Sequence, residues 1–225
     1  MRDGYTRRQD DVGAHAASGW HLAQKKTLRA TERDRPLNQE KRRVYKEVVD
    51  ELDHRRLIYI DEAGVNLAMT PMHAWAPVGK RTFAKRPGNR GSNVSVVAAV
   101  RLDGMGPWYP FDGAVNGERF LDYISRLLVP TLAEGDIVVV DNVRFHHRAE
   151  VREVIEEAGA KVIFLPPYSP ELNPIEEVFS LVKNAIRRLE PRCIASLVDA
   201  LKHAFTLVTP EKLQGYFRHA LHQPL

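Results

Sequence analysis

Three acidic residues, Asp61, Asp141 and Glu176, stand where the surrounding sequence can bring carboxylates together. Residues 57 to 62 read LIYIDE and residues 137 to 142 read IVVVDN, so Asp61 and Asp141 each close an apolar run of the kind that forms a buried strand. Glu176 lies in KVIFLPPYSPELNPIEEVFSLVKNAIRR, residues 161 to 188, which reads as strand, rigid loop and helix. Taken singly, an Asp at a strand end is an ordinary turn residue, and a Glu in a first helical turn complements the helix dipole. Taken together in a partly buried site, three carboxylates repel one another, and a hard divalent cation is the usual remedy. Oxygen-only ligands favour Mg²⁺ or Mn²⁺ over zinc. Two such ions bridged by one carboxylate would clamp a phosphodiester, so the chemistry is phosphoryl transfer.

The elements that must position these groups are legible from periodicity. Before Glu176, the apolar run Val162 to Leu165 gives way to a loop stiffened by Pro166, Pro167 and Pro170. After it, Ile175, Val178, Phe179, Val182, Ile186 and Leu189 recur at the spacing of a helix with one buried face. Asn173 is the expected N-cap, Pro174 suits the first helical position, and Glu176 at the third can reach back to the cap backbone. Glu177 points elsewhere on the wheel. Upstream, a helix is predicted from Leu37 to Leu52, then the strand ending at Asp61, an extended segment at His73 to Pro77 and a β-branched strand at Asn93 to Val100. These three strands are expected to pair as an antiparallel meander.

A short extended piece at Trp108 to Phe111 precedes a helix from Gly117 to Leu128 that Pro130 ends. The strand Ile137 to Val140, a helix from His147 to Ala158, the strand Val162 to Leu165 and the Glu176 helix follow. Two further helical patterns carry Ile194 to Phe205 and Leu213 to Leu221. Three strands followed by alternating strands and helices imply an α/β fold, a mixed sheet flanked by helices. The organisation expected is an irregular segment at 1–24, a basic linker and helix at 25–56, a catalytic domain at 57–190 and a helical extension at 191–225.

Composition excludes several classes. No apolar run approaches the roughly 20 residues that span a bilayer, and the N-terminus lacks the apolar core of a signal peptide, so a cytoplasmic protein with no membrane partner is expected. The single Cys193 and the scattered histidines give no disulfide and no zinc-ligand pattern. Net charge is +4, and the excess lies upstream of Leu57, where fourteen Lys and Arg face ten Asp and Glu. No acidic residue falls between Glu62 and Asp103, while Lys80, Arg81, Lys85, Arg86, Arg90 and Arg101 do. This basic segment either follows a phosphate backbone or is a solvated loop. Lys183, Arg187 and Arg188 are either DNA contacts or complements to a helix dipole. Asn142 and His146, close to Asp141, are candidates for orienting substrate or water, and the alternative for His146 and His147 is a solvent-facing helix entry. Trp75 and Trp108 read as core or half-buried packing.

The segments YIDEAGVN, HAWAPVGKR, VVVDNVRFHH and LPPYSPELNPIEE resemble the catalytic domain of mariner-related DDE transposases from bacterial insertion sequences. The resemblance runs from Lys25, through KKTLRATERDRP, to Arg188, and the thirty-four residues between Asp141 and Glu176 match a spacing used in that superfamily. It implies a ribonuclease-H-like fold and a triad of Asp61, Asp141 and Glu176. It further implies Mg²⁺ as cofactor with Mn²⁺ as substitute, in two ions, and DNA ends as substrate, held by a homo-oligomer. It also selects Glu176 over Glu177, because the family residue directly follows NPI. Relatives carry paired helix-turn-helix modules before the segment resembling Lys25 to Pro36, where twenty-four residues stand here. That length is too short for such modules. The chain is therefore expected to be the catalytic portion of a transposase, with end recognition on a separate helix-turn-helix polypeptide, or else an inactive DNA-binding or dimerisation remnant.

Overall fold

The structure, a computed structural model, describes residues 30 to 221. Its centre is a five-stranded sheet in the order β3-β2-β1-β4-β5. The strands are β1 (Leu57–Asn66), β2 (Asn93–Arg101), β3 (Gly104–Asp112), β4 (Ile137–Val140) and β5 (Lys161–Phe164). The first three form an antiparallel meander, and β4 and β5 add in parallel beside β1. The all-apolar runs of β1 and β4 are what a strand needs when both faces of its sheet are covered.

Alternation along the strands feeds two separate cores. Leu57, Tyr59 and Val139 face one side, where they pack with α1 (Pro36–Asp50), α4 (Ile175–Leu189), α5 (Ile194–Thr206) and α6 (Pro210–Leu221). Ile58, Ile60, Val138 and Val140 face the other, against α2 (Gly117–Tyr123), the π-helical turn Ile124–Leu128 that continues it, and α3 (Ala149–Glu157). The C-terminal helices share the core of the sheet: Leu197, Leu201, Leu213 and Phe217 are fully buried in the first cluster. Phe217 meets Tyr59 edge to face at 5.4 Å, and the Tyr59 hydroxyl lies 3.3 Å from that of Tyr45 on α1. No described helix is long and apolar enough to cross a membrane.

Several expectations need correction. The meander's third strand is β3, and residues 73 to 77 form no strand. β1 runs on past Asp61 to Asn66 and pairs directly with β2, from Tyr59 opposite Val100 to Asn66 opposite Asn93, so no edge is left for an intervening strand. Pro71 and Pro77 also lack the N–H groups that a ladder needs. Residues 67 to 92 instead form one long irregular connection on which Met72, Trp75, Val78 and Phe83 are exposed. Trp75 is thus solvent-facing, whereas Trp108 stacks on Phe205 at 4.6 Å as packing. The helix expected to start at His147 begins at Ala149, after the short turn Arg144–His147.

If α6 completes the main core, Phe217→Ala should lower unfolding free energy by about 3–5 kcal/mol, the usual cost of truncating a buried aromatic ring. Trp75→Ala should stay within about 0.5 kcal/mol, as surface changes do. Urea unfolding of both variants separates the cases, and a mild Phe217 effect would detach α6 from the core.

Candidate active site

Register brings the two aspartates together. β1 and β4 run parallel with Ile58 beside Val138 and Ile60 beside Val140, so the next residues, Asp61 and Asp141, emerge side by side where the pairing ends. β4 stops there, whereas β1 continues; Asp61 lies within a strand and does not close one. Its Oδ1 accepts from the Glu62 backbone N–H at 2.7 Å. Its Oδ2 accepts from Asn173 Nδ2 at 3.0 Å. Asp141 Oδ1 accepts from the Val143 N–H at 3.0 Å, a turn closed by an Asp side chain, and faces His146 Nδ1 at 2.5 Å.

Glu176 approaches from the first turn of α4. Asp61, Asp141 and Glu176 line a single cleft of about 350 Å³, together with Asn142, Tyr168 and Asn173. The predicted capping box does not form. Pro174 takes the N-cap position without a side-chain hydrogen bond, and α4 begins at Ile175. Asn173 precedes a proline and is accordingly extended, with φ −113° and ψ 103°. Its side chain turns into the cleft towards Asp61 and leaves only its backbone carbonyl to accept from the Glu176 N–H, at 3.2 Å. Glu177 points away, and its Oε1 lies 2.7 Å from His219 Nδ1 on α6.

The loop before α4 is braced from behind. Arg42 of α1 is buried, and its guanidinium donates to the Ser169 hydroxyl and to the Glu171 carboxylate, which Arg33 also engages at 2.9 Å. Tyr168, between these anchors, holds a left-handed φ of 56°, a conformation that a bulky residue keeps only when its surroundings impose it. Its ring is half-exposed at the rim of the cleft.

The electrostatics are those of crowded like charges. Burial raises the Asp61 carboxyl to about 8, against the lowering effect of the Glu62 N–H, with Asp141, Glu62 and Glu176 adding to the rise. Glu176 is solvent-exposed but flanked by the cleft walls. Its carboxyl is raised by desolvation and by Asp141, with Lys183 pulling the other way. His146 runs opposite to an ordinary buried histidine. Burial alone would lower its pKa, but its hydrogen bonds to Asp141 and Glu62 push it up to about 9.

The residues fit a hard divalent cation. The donor set is all oxygen, excess negative charge gathers at one cleft, and Asn173 Oδ1 is a buried acceptor with no partner among the described residues. No three His, Cys, Asp or Glu side chains among those residues stand close enough together to hold an ion by themselves. Mg²⁺ needs no such set, since it is held by one or two carboxylates plus water and substrate phosphate.

The other singled-out residues are dispersed. Lys80, Arg81, Lys85, Arg86 and Arg90 are exposed on the irregular 67–92 connection. Lys183 and Arg187 are half-buried on α4, Arg187 donating to Asn184 at 2.8 Å, and Arg188 is exposed. None of these lines the cleft. Asn142 does, whereas His147 is exposed and stacks on Phe164 at 4.1 Å. His146 is neither solvent-facing nor in the cleft wall: its side chain is 0% exposed and its Nε2 lies 2.9 Å from Glu62 Oε1. Sequence reasoning did not single out Glu62 or the contact of Asn173 with Asp61. The pairing of strand alternation with DE at residues 61 and 62 is the signal that could have placed Glu62 on the opposite face from Asp61.

Similarity to known proteins follows this geometry. The chain superposes on the Mos1 mariner paired-end complex with Mn at a TM-score of 0.75 and 16% identity, covering 92% of this chain and 65% of that one. The paired-end complex with Mg gives 0.74 at 16% identity, covering 91% and 65%. The isolated catalytic domain of Mos1 mariner transposase gives 0.65 at 15% identity, covering 88% and 93%. The chain thus spans about 65% of the length of the paired-end-complex chains and shares with them the ribonuclease-H-like fold. No curated protein matches it in sequence. The family described as DDE superfamily endonuclease matches residues 56–198, more than half the chain and the whole of the carboxylate-bearing sheet, and the protein belongs to that family.

Proposed function

We propose that this chain is the catalytic domain of a DNA transposase that cleaves strands at the ends of a mobile element and joins the released 3′-hydroxyl to target DNA. The observation that carries this reading is the parallel register of β1 and β4, which sets Asp61 beside Asp141 at the mouth of a cleft that Glu176 completes. These three carboxylates would hold Mg²⁺, or Mn²⁺ in its place, in two ions. Bound there, such ions would lower the pKa of a water or hydroxyl nucleophile and neutralise charge on the phosphodiester. Asn173 fixes one oxygen of Asp61, and its own Oδ1 is buried with no partner among the described residues. Asn142, exposed on the cleft wall, orients the substrate.

The exposed Lys80, Arg81, Lys85, Arg86 and Arg90 follow the DNA backbone, with Lys183, Arg187 and Arg188 as further contacts, and the working unit is a homo-oligomer on DNA ends. Support for the DNA reading is the acid-free stretch between Glu62 and Asp103, in which every charge is positive. The family match and the fold shared with Mos1 transposase point the same way.

Asp61→Asn, Asp141→Asn and Glu176→Gln should each reduce Mg²⁺-dependent cleavage of plasmid DNA by about 10³-fold or more, a loss of the size seen when one transition-state stabiliser is removed. Glu177→Gln, whose side chain faces α6, should remain within a few-fold of the parent. Equal damage from Glu176→Gln and Glu177→Gln would reject the triad.

Replacing Lys85, Arg86 and Arg90 by Ala should weaken DNA binding regardless of sequence. The slope of log K against log salt should fall by about 0.9 for each phosphate that is no longer neutralised. An unaltered slope makes the connection a solvated loop.

The site also sets a pH dependence. Asp61 rises from an ordinary 3.8 to about 8, so its ionisation penalty is absent below 3.8 and complete above about 8. His146 rises from 6.5 to about 9, so its contribution is full below 6.5 and lost as pH passes 9. In both cases the folded chain binds more protons, and stability falls with rising pH. The metal-free melting midpoint should therefore drop between pH 6.5 and 9, less steeply in Asp61→Asn. Mg²⁺ or Mn²⁺ should raise the midpoint more at pH 8.5 than at pH 6, because binding requires ionised carboxylates. Equal metal-induced shifts at both pH values would contradict the assignment of Asp61 as a ligand.

A further inference from the structure

The imidazole of His146 spans two carboxylates that belong to opposite faces of the sheet. Its Nδ1 lies 2.5 Å from Asp141 Oδ1 and its Nε2 lies 2.9 Å from Glu62 Oε1. Glu62 follows Asp61 in β1 and therefore projects to the other side, towards α2 and the Arg144–His147 turn. The ring is walled by Phe120 at 4.1 Å and Phe145 at 4.5 Å, and its side chain is 0% exposed. Both nitrogens are thus taken by protein oxygens, and the ring cannot reach DNA in the cleft. A buried polar group with two good partners and aromatic walls has little freedom to move.

We propose that Glu62 and His146 are positioning residues, a carboxylate–imidazole strut that fixes the orientation of Asp141 so that its remaining oxygen faces the cleft. The proposal rests on the metal-dependent reading given above and deepens it. Asp141 follows a strand of only four residues and sits at the start of an exposed turn through Asn142, Val143 and Arg144, where the Val143 N–H and His146 are the groups that hold its Oδ1. The strut ties it to the longer β1, which also carries Asp61. The two aspartates are then fixed to one rigid element on both faces of the sheet. A ligand held this way binds metal more tightly than one free to rotate, and removing such outer partners typically weakens metal affinity about 10–100-fold.

Glu62 is the residue to change, because it is half-buried whereas His146 lies in the core. Mn²⁺ affinity of the purified chain is measured by electron paramagnetic resonance, beside metal-free melting and the ring N–H resonances of His146. Glu62→Ala should weaken Mn²⁺ binding about 10–100-fold and broaden or shift the His146 signals. Glu62→Gln keeps an oxygen in place to accept from Nε2 and should restore affinity to within about three-fold of the parent. A purely structural role would lower the melting midpoint in Glu62→Ala without changing affinity at temperatures where the variant is folded, and that result overturns the proposal. Equal loss in Glu62→Gln and Glu62→Ala overturns it too, since position would then be irrelevant. A parent chain that binds no Mn²⁺ overturns the transposase reading itself, and the strut's purpose with it.

Discussion

The constraint on which the site depends is the repulsion among carboxylates that the parallel pairing of β1 and β4 forces together. Asp61 and Asp141 emerge at adjacent register positions because Ile60 and Val140 are paired immediately before them. Burial makes the crowding costly, which is why the Asp61 carboxyl is raised to about 8. The protein's own groups offset part of this charge. Hydrogen bonds from the Glu62 N–H and Asn173 go to Asp61, His146 and the Val143 N–H go to Asp141, and Lys183 acts on Glu176. The remaining deficit is what a divalent ion would supply, so ion affinity and local repulsion share one origin.

The rest of the fold serves to keep that crowded edge rigid. On one face, α4 is packed by Ile175, Val178, Phe179, Val182 and Ile186, which fixes the direction from which Glu176 enters. The preceding loop is held from outside, by Arg42 reaching from α1 to Ser169 and Glu171. A buried guanidinium needs its partners, because an unpaired charge there costs several kcal/mol. Helix α1 therefore bears on the site although it contributes no side chain to the cleft. On the other face, Phe120 and Phe145 enclose His146, so the second core reaches the site through one ring.

Much of this was legible in the sequence, for identifiable reasons. Apolar runs such as Leu57 to Ile60 and Ile137 to Val140 report burial on both faces directly, and the spacing of Ile175 to Ile186 reports one helical face. Those signals are local, and the three carboxylates they single out line one cleft in the structure. The failures arise where a local preference met a tertiary demand. Asn173 has the chemistry of a cap, but the following proline holds it extended and Asp61 takes its amide. His73 to Pro77 has strand-like residues, but β1 already occupies the edge of β2.

Glu62 shows the complementary limit. Nothing in the run YIDEAGVN distinguishes a structural Glu from one that matters to the site, because its partner lies eighty-four positions away. Only the topology reveals it. Once β1 is known to lie beside β4 in parallel, the residue after Asp61 must face α2, and the turn that follows Asp141 must pass beneath it. A histidine placed on that turn then has carboxylates on both sides and no access to solvent. The same alternation that gives a strand two faces thus lets adjacent acids take different parts, one in the cleft and one behind it.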